Sequence, residues 1–427
     1  MSRTLRIAAL QLRAHDRADF AQRLPALTKV IAETAREHDL VVLPEGTMPA
    51  YVLGDDRVDD GLLARAAETL AAIARDERCV IVAGAALRHQ GVLYNSALVF
   101  ESDGSIAGHA EKIFLWHFDR QWFTPGTSLA PISTSIGTLG VLICADGRMP
   151  AIAATLVDRG AELLAMPTAW VTSGRDPSLL ENIQADLLGR VRAFENNVPF
   201  IAANKCGIEL EMVAYCGKSQ IIDAAGTILA IGSQDEQAVV SAVVTLDRMH
   251  PHRHAAAPPQ PRPPAPDAPL RVAISIGALP VDITDRLRVL EADLALAAVG
   301  SDDFAAFDAA VNAARIGLDA LFDPRTLVEY RRAGYRVAIV DADRTHPWLE
   351  RVARARAAEV RMYAIVFDRQ AERAYAVDPD GAVIAGTFGD YRIASFPLDL
   401  RRTHQTMIAP GTDIAAGIER VHALETA

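Results

Sequence analysis

Short runs of consecutive apolar residues constrain the fold of this chain more than any other feature of its sequence. The segments "LVVLPE" (40–45) and "LGVLIC" (139–144) carry no charged or hydrogen-bonding side chain before their last residue. Strands of this kind are buried on both faces, which is typical of parallel sheets covered by helices. Between residues 5 and 247 such runs alternate with helical patterns, for example at 59–76 and 179–196. The alternation predicts an α/β protein.

The chain length and one proline-dense segment predict how the chain is divided. A chain of 427 residues exceeds one ordinary hydrophobic core, so two or three domains are expected. Prolines crowd the segment "HPHRHAAAPPQPRPPAPDAP" (250–269), where neither a helix nor a sheet can continue. We therefore predict a first domain over residues 1–250, a proline-rich linker over 251–269 and a second domain over 270–427.

Similarity between the two halves of the sequence indicates an internal duplication. The segment "AVDPDGAVIA" (376–385) resembles "IIDAAGTILA" (221–230). When the halves are laid on each other, Leu321 falls on Cys144. The second half is thus predicted to be a shortened α/β copy of the first that lacks this cysteine.

The composition of the chain disfavours several classes of protein. The formal net charge of −11 argues against nucleic acid as the main partner, because phosphate binding needs a basic surface. Apolar runs stay shorter than the about 20 residues of a membrane helix, and the N-terminus lacks a signal-peptide pattern. A cytoplasmic protein is therefore expected. The four cysteines lack CxxC spacing and the histidines of "HPHRH" (250–254) lack a fixed geometry, so no metal site is expected.

Cys144 stands where a buried strand ends and a turn begins. The residues that follow, "ADGRMP" (145–150), are mostly small or charged and lead into a predicted helix at 150–159. Backbone N–H groups at a helix start lower the pKa of a thiol below its ordinary value of about 8.5. The same groups bind an oxyanion that forms when a thiolate attacks a carbonyl or nitrile carbon. This position therefore suits a nucleophile.

A nucleophilic thiol needs a base, and carboxylates are better placed for this role than histidines. Glu45 ends the apolar run 40–45, whereas histidine does not occur at the end of any predicted strand. Lys112 and Asp119 belong to an aromatic-rich loop, "HAEKIFLWHFDRQWFTPG" (109–126). Apolar walls raise the pKa of a glutamate towards neutrality, and a lysine stabilises a developing oxyanion.

Six sequence blocks follow one another across residues 5–250. They are "VVLPEGTMPAY", "EKIFLWHFDRQWFTPG", "GVLICADGRMP", "GAELLAMPTAW", "RAFENNVPFIAANKCG" and "GKSQIIDAAGTIL". In order and spacing they resemble the successive blocks of the nitrilase (carbon–nitrogen hydrolase) superfamily. The resemblance implies a four-layer α-β-β-α sandwich, nitrilase-like, and an enzyme without metal or organic cofactor. The shorter second α/β domain would then be a degenerate nitrilase-like copy without catalytic activity.

The resemblance implies a catalytic triad of Glu45, Lys112 and Cys144. The glutamate would act first as general base and then as general acid. The lysine and the backbone N–H of Ala145 would hold the oxyanion. The cysteine would form a thioester acyl-enzyme, release ammonia or an amine, and be freed by water.

One departure from the family pattern concerns Asp119, since the family usually has a second glutamate at this place. A carboxylate that is one methylene shorter has to be brought closer, and a misplacement of about 1 Å costs on the order of 100-fold in rate. Asp119 is therefore either an accessory catalytic residue or a loop carboxylate paired with Arg120 or Arg148. The residues expected to line the substrate pocket are Tyr51, Trp116, Ala145 and Trp170.

The predicted function is hydrolysis of a non-peptide carbon–nitrogen bond in a small amide or an N-carbamoyl compound. One alternative is a nitrilase that acts on a nitrile. Another is a non-catalytic binding or scaffold protein on the same fold, which the second half without a nucleophile favours. The expected partner is a small-molecule substrate, with neither nucleic acid nor membrane. The expected assembly is a homo-oligomer or an intramolecular pseudo-dimer of the two halves.

Overall fold

The computed structural model describes residues 3–54, 58–172, 182–247, 250–254, 259–263, 268–277, 291–297 and 302–426. The chain divides into two compact units. The first unit comprises Met1–Pro251, Ala409–Thr412 and Glu419–Ala427, and the second comprises His252–Ile408 and Asp413–Ile418. The sequence prediction placed all of 270–427 in the second domain, whereas two short C-terminal segments group with the first unit. The described residues between 250 and 269 form neither helix nor strand.

The first unit contains two β-sheets and two pairs of longer helices. Its strands are β1 (Arg3–Arg13), β2 (Leu40–Val42), β3 (Val80–His89), β4 (Val92–Phe100), β5 (Ile106–Glu111), β6 (Ile132–Thr134), β7 (Gly137–Val141), β8 (Leu163–Pro167), β9 (Phe200–Ala203), β10 (Lys205–Glu209), β11 (Val213–Cys216), β12 (Gln220–Ile222), β13 (Ile228–Ile231) and β14 (Ala238–Leu246). Its helices are α1 (Phe20–Ala35), α2 (Asp60–Glu77), α3 (Asp119–Trp122), α4 (Pro150–Asp158) and α5 (Gly189–Asn196).

The two sheets of the first unit are stacked between the helices. One sheet has the order β11-β10-β1-β2-β3-β4-β5 with β14 also paired to β1, and the other has the order β13-β12-β9-β8-β7-β6. Helices α1 and α2 pack on the first sheet, and α4 and α5 pack on the second. Strands of the two sheets contact each other between these helix layers. The predicted four-layer α-β-β-α sandwich is confirmed.

Local sequence explains where these helices begin and end. Helix α2 matches the pattern predicted at 59–76, and the Asp59 side chain caps it by accepting a hydrogen bond from the N–H of Leu62 at 2.9 Å. Pro150 occupies the first turn of α4, where its missing N–H costs no helical hydrogen bond. The helix predicted at 179–196 is a π-helical turn (Gln184–Leu188) followed by α5; residues 179–181 lie outside the described residues.

The second unit is a smaller α/β assembly. Its strands are β15 (Leu270–Ser275), β16 (Leu294–Ala297), β17 (Ala313–Gly317), β18 (Val337–Ala342), β19 (Tyr363–Asp368), β20 (Arg373–Val377), β21 (Val383–Gly386) and β22 (Ile393–Leu398). Its helices are α6 (Asp302–Val311), α7 (Leu318–Phe322), α8 (Thr326–Arg332), α9 (Leu349–Val360) and α10 (Arg401–His404). The C-terminal elements β23 (Met407–Ala409), β24 (Thr412–Asp413) and α11 (Ile414–Thr426) complete the chain.

The strand orders of the two units correspond. The order β17-β18-β19-β20-β21 repeats β7-β8-β9-β12-β13, with the first three strands parallel and the last two antiparallel in both. Strand β15 pairs in parallel with β16 and antiparallel with β22, as β1 does with β2 and β14. These parallels agree with the proposed duplication, which stays a prediction.

None of the described helices combines the length and the apolar character that crossing a membrane requires.

Candidate active site

Cys144 opens a 3₁₀ turn (Cys144–Arg148) between β7 and α4. Its backbone has a φ of +47°, in the left-handed region that residues with a side chain rarely adopt. Backbone strain of this kind is concentrated at functional turns, where the surrounding structure maintains it. The side chain is buried, and it lies beside the Glu45 carboxylate, the Thr168 hydroxyl and the backbone of Ala169.

The carboxylate of Asp146 fixes this turn through backbone N–H groups. Its Oδ2 accepts a hydrogen bond from the N–H of Ile143 at 3.0 Å. Its Oδ1 accepts from the N–H groups of Ile113 and Phe114 at 3.0 and 2.7 Å. Burial raises the pKa of Asp146 to about 7, and these N–H donors act in the opposite direction. One side chain therefore joins the turn of the cysteine to the segment directly after Lys112.

Glu45 follows β2 and is fully buried. Its Oε1 accepts hydrogen bonds from Asn95 Nδ2 and from Lys112 Nζ, both at 2.7 Å. Gly84 on β3 lies so close that a Cβ there would come within 2.6 Å of the Glu45 Cα. The absence of a side chain at Gly84 thus lets the glutamate backbone approach the sheet.

Lys112 follows β5 and places its ammonium group between two carboxylates. Nζ lies 2.7 Å from Glu45 Oε1 and 2.5 Å from Asp119 Oδ2, and all three side chains have no solvent exposure. Burial acts to lower the pKa of Lys112, but the charges of Asp119 and Glu45 outweigh it and hold the pKa well above its ordinary value. The lysine is therefore a permanent cation inside the unit.

Asp119 begins helix α3, and its carboxylate pairs with Lys112. Besides the lysine, Oδ2 accepts a hydrogen bond from the N–H of Trp116 at 3.0 Å. The N–H of Asp119 in turn donates to the carbonyl oxygen of Trp116 at 2.8 Å. This tight turn brings the short carboxylate within 2.5 Å of the lysine.

Burial dominates the protonation of the thiol and of the glutamate. It raises the pKa of Cys144, the Glu45 charge adds to the effect, and Lys112 opposes it. The expectation that the start of a helix lowers the pKa of this thiol is wrong, because full burial beside a carboxylate outweighs the turn. Burial also raises the pKa of Glu45, again against the effect of Lys112. The Glu45 carboxylate is the titratable neighbour of this thiol.

The pocket residues predicted from the sequence are buried to different degrees around this cluster. The Tyr51 ring lies 5.7 Å from Lys112 Nζ and also contacts the rings of Phe118 and Tyr215. The half-buried Trp116 has the Arg148 guanidinium 5.0 Å from its ring centroid. Trp170 is buried, and so is Ala145, the second residue of the turn. Tyr51 therefore approaches the charged cluster with its ring, and Trp116 contacts it through its backbone N–H.

Sequence reasoning missed Asn95 and Thr168. Asn95 is the easier of the two to detect, since it is a buried amide within the mostly apolar strand β4. A polar residue in such a strand requires a buried partner, which here is Glu45. Thr168 directly follows β8, and no pattern in the sequence singles it out.

A four-layer sandwich that buries a cysteine, a lysine and a glutamate together defines an α/β enzyme with the nitrilase fold. The sequence model of the family described as carbon–nitrogen hydrolase matches residues 6–254. The chain belongs to this carbon–nitrogen hydrolase family and is an enzyme of that type.

Two relatives and one solved structure illustrate the similarity. "Hydrolase in pqqF 5′ region" from Pseudomonas protegens is 34% identical over 254 residues, which are 58% of this chain and 84% of that protein. An (R)-stereoselective amidase from Pseudomonas sp. is 30% identical, over 57% of this chain and 85% of that protein. The crystal structure of a carbon–nitrogen hydrolase from Helicobacter pylori superposes with a TM-score of 0.51 at 26% identity, covering 56% and 89% of the two chains.

Proposed function

We propose that this enzyme hydrolyses the carbon–nitrogen bond of a small amide or an N-carbamoyl compound through a thioester on Cys144. The observation that carries the proposal is the contact of Lys112 Nζ with Glu45 Oε1 at 2.7 Å, beside a buried thiol. The similarity to an (R)-stereoselective amidase supports an amide as the substrate class.

Acylation begins with transfer of the thiol proton to the Glu45 carboxylate. The sulfur then attacks the carbonyl carbon, and the carbonyl π electrons move to oxygen. Lys112 Nζ and the N–H of Ala145 stabilise this oxyanion in a buried site, where such interactions are strong. The protonated glutamate next gives its proton to the departing nitrogen, the carbon–nitrogen bond breaks, and a thioester remains.

Deacylation repeats these steps with water. Glu45 removes a proton from water, and the resulting hydroxide attacks the thioester carbon. The carbon–sulfur bond breaks when the tetrahedral intermediate collapses, and the glutamate returns its proton to the sulfur. The products are a carboxylic or carbamic acid and the free enzyme.

The test is a comparison of cysteine variants on a substrate panel of small amides, N-carbamoyl amines and nitriles. Release of ammonia or amine is expected from wild type and from Cys206→Ser, a matched change at another buried free cysteine. Cys144→Ser is expected to release neither. Turnover of nitriles alone would support the nitrilase alternative. Substrate binding without turnover in wild type would support the non-catalytic alternative.

A further inference from the structure

Two histidines and one glutamate come together at the edge of the first sheet. They are His89 at the end of β3, and His109 and Glu111 on β5. One potential ligand atom from each lies within 4.8 Å of the other two, and among the described residues this is the one such group of His, Cys, Asp and Glu. His109 Nε2 is 3.6 Å from Glu111 Oε1, and the two imidazole rings are 6.1 Å apart.

The strand geometry explains why two of the three side chains share one face. His109 and Glu111 are two residues apart on β5 and therefore point to the same face. Lys112 comes next in the chain and points away from Glu111 into the buried cluster. The three side chains help to line a cleft of about 350 Å³, together with Tyr94.

The separation of His109 and Glu111 suits a small tetrahedral ion. Zinc binds imidazole nitrogen at about 2.0–2.1 Å, so two ligands at the tetrahedral angle are about 3.4 Å apart. The 3.6 Å separation of His109 Nε2 and Glu111 Oε1 is close to that value. Imidazole suits zinc, copper, iron or nickel, whereas magnesium and calcium prefer oxygen ligands.

We propose that His89, His109 and Glu111 bind a divalent transition-metal ion, with zinc as the best match. Two imidazoles and one carboxylate leave a fourth position open, and it would face the cleft. The sequence predicts no metal site, because the two histidines are separated along the chain by strand β4 and show no motif. The site is independent of the proposed catalytic function.

The test is metal binding by the full chain. After dialysis against a chelator, zinc is titrated by calorimetry, and cobalt is titrated by its visible absorption. Wild type is expected to bind one equivalent with the absorption of tetrahedral cobalt. His89→Ala and His109→Ala are each expected to weaken binding by at least about 10–100-fold, the cost of losing even an outer-shell partner. His404→Ala, at an exposed histidine of the second unit, is the control.

Equal affinity of wild type and His109→Ala would overturn the proposal, and so would binding that His404→Ala abolishes. Octahedral cobalt spectra in wild type would also contradict it. Circular dichroism verifies that the variants remain folded. Folding is expected to be unaffected, because the replaced histidine side chains are exposed.

An independent observation concerns the C-terminal segments that belong to the first unit. Thr412 is fully buried, and its Oγ1 accepts a hydrogen bond from the N–H of His117 at 2.6 Å. Arg420 Nη2 donates to the carbonyl oxygens of Pro125 and Gly126 at 3.2 and 2.7 Å. These contacts fall near the middle and at the end of the loop 113–126.

This loop determines the position of Asp119. His117 lies two residues before it and has a φ of +44°, a left-handed backbone that requires support. Gly126 donates its N–H to the carbonyl oxygen of Lys112 at 2.8 Å, so the end of the loop is tied to the lysine. The C-terminal segments thus contact the loop on both sides of the aspartate.

We infer that Thr412 and Arg420 are positioning residues that hold the Asp119 loop against Lys112. This inference rests on the proposed function for its effect on rate. Loss of the Thr412 acceptor removes this partner from the partly buried N–H of a strained residue. A displacement of Asp119 by about 1 Å would cost on the order of 100-fold in rate.

The test compares Thr412→Val, Thr412→Ser and Thr426→Val in the full chain. Thr412→Val is expected to lower kcat by about 10–100-fold with little change in KM, as a misplaced catalytic group does. Thr412→Ser, which keeps the acceptor, is expected to restore kcat. Thr426→Val removes an exposed hydroxyl from the same C-terminal region and should have no effect.

Hydrogen exchange of the peptides spanning 113–126 tests the inference without any substrate. Thr412→Val should speed exchange there, and Thr426→Val should not. Unchanged exchange and unchanged kcat in Thr412→Val would overturn the inference. If wild type turns over no substrate while exchange responds as expected, the proposed function fails and the positioning contact stands.

Discussion

The second sheet of the first unit and the five-stranded sheet of the second unit share an architecture and differ in chemistry. In both, three parallel strands are followed by two antiparallel ones. The register of the last pair shifts in both, between Ile221 and Ile222 and between Ala376 and Val377. The strand order and the register shift thus recur in the sheet of the second unit, which lacks the counterpart of Cys144.

Each sheet is also covered by a helix that carries a buried ion pair. In α5, Arg192 Nη1 lies 2.6 Å from Glu195 Oε1, and in α9, Arg356 Nη1 lies 2.7 Å from Glu359 Oε2. Each arginine also donates Nε to a backbone carbonyl oxygen, at Gly147 after β7 and at Leu321 after β17. The buried arginine–glutamate pair therefore stabilises the fold in both units.

The turns that follow β7 and β17 differ. The first unit opens its turn with Cys144 in a left-handed conformation, whereas the second continues from an extended Gly317 directly into α7. The comparison teaches that apolar strands and buried arginine–glutamate pairs build the fold. A few residues at strand ends supply the chemistry.

The largest effect is expected at the position where the two sheets differ. Cys144→Ser should lower kcat/KM by at least about 10³-fold, because the thiolate is the better nucleophile and acts as a unit with its base. Leu321→Ala should leave the rate per folded molecule unchanged and lower the free energy of unfolding by about 2–5 kcal/mol. Steady-state kinetics and thermal unfolding measure both. A rate loss in Leu321→Ala as large as in Cys144→Ser would break the comparison.

The two buried ion pairs offer the next test. Arg192→Met and Arg356→Met each remove the arginine from a buried ion pair, and each should cost about 3–5 kcal/mol of stability. Arg192→Met should in addition reduce kcat, because its Nε holds Gly147 in the turn of the cysteine. Denaturant unfolding and kinetics of the folded fraction separate the two effects. Equal kinetic losses in both variants would contradict the division between scaffold and chemistry.

Asp119→Asn should have a smaller effect, at about 100-fold in kcat, since Lys112 would lose one of its two charged partners and shift its position. Asp378→Asn, at a buried carboxylate of the second unit, is the matched control and should not change kcat. Stopped-flow acylation with an activated ester or amide measures the change. An Asp119→Asn enzyme with wild-type kcat would make this residue a structural loop carboxylate.

The smallest effect is expected when the activity is measured one pH unit at a time. Burial raises the pKa of Glu45, and the base is active only as the carboxylate. Activity should therefore fall about tenfold per pH unit below a pKa that lies above the ordinary glutamate value of about 4.3. The high pKa of Lys112 keeps the lysine charged across the same range. An acid limb of kcat/KM at or below the ordinary glutamate value would contradict the burial of this base.

The sequence predicts the fold of the first unit well and the contacts of its site only through family resemblance. The unbroken apolar runs at 40–45 and 139–144 identify strands because burial on both faces excludes polar residues. The contact of Glu45 with Lys112 joins residues 67 positions apart, and neither periodicity nor composition contains that information. The six sequence blocks that resemble the nitrilase superfamily supply this information.

Other features depend on three-dimensional proximity alone. The bond between His117 and Thr412 spans 295 positions and has no local pattern. The raised pKa of Cys144 follows from burial, whereas the sequence shows only the turn that favours a thiolate. The exposed pair of histidines on β3 and β5 likewise comes from two strands that β4 separates, and no local pattern links the two residues.

Peptide mapping of the acylated enzyme tests the central claim most directly. Wild type is mixed with a slowly hydrolysed amide or ester, quenched in acid and analysed by mass spectrometry. The account predicts one acyl group, carried by the peptide that contains Cys144, and none in Glu45→Gln under the same conditions. Turnover without any acyl adduct, or an adduct on Cys79, Cys206 or Cys216, would contradict it.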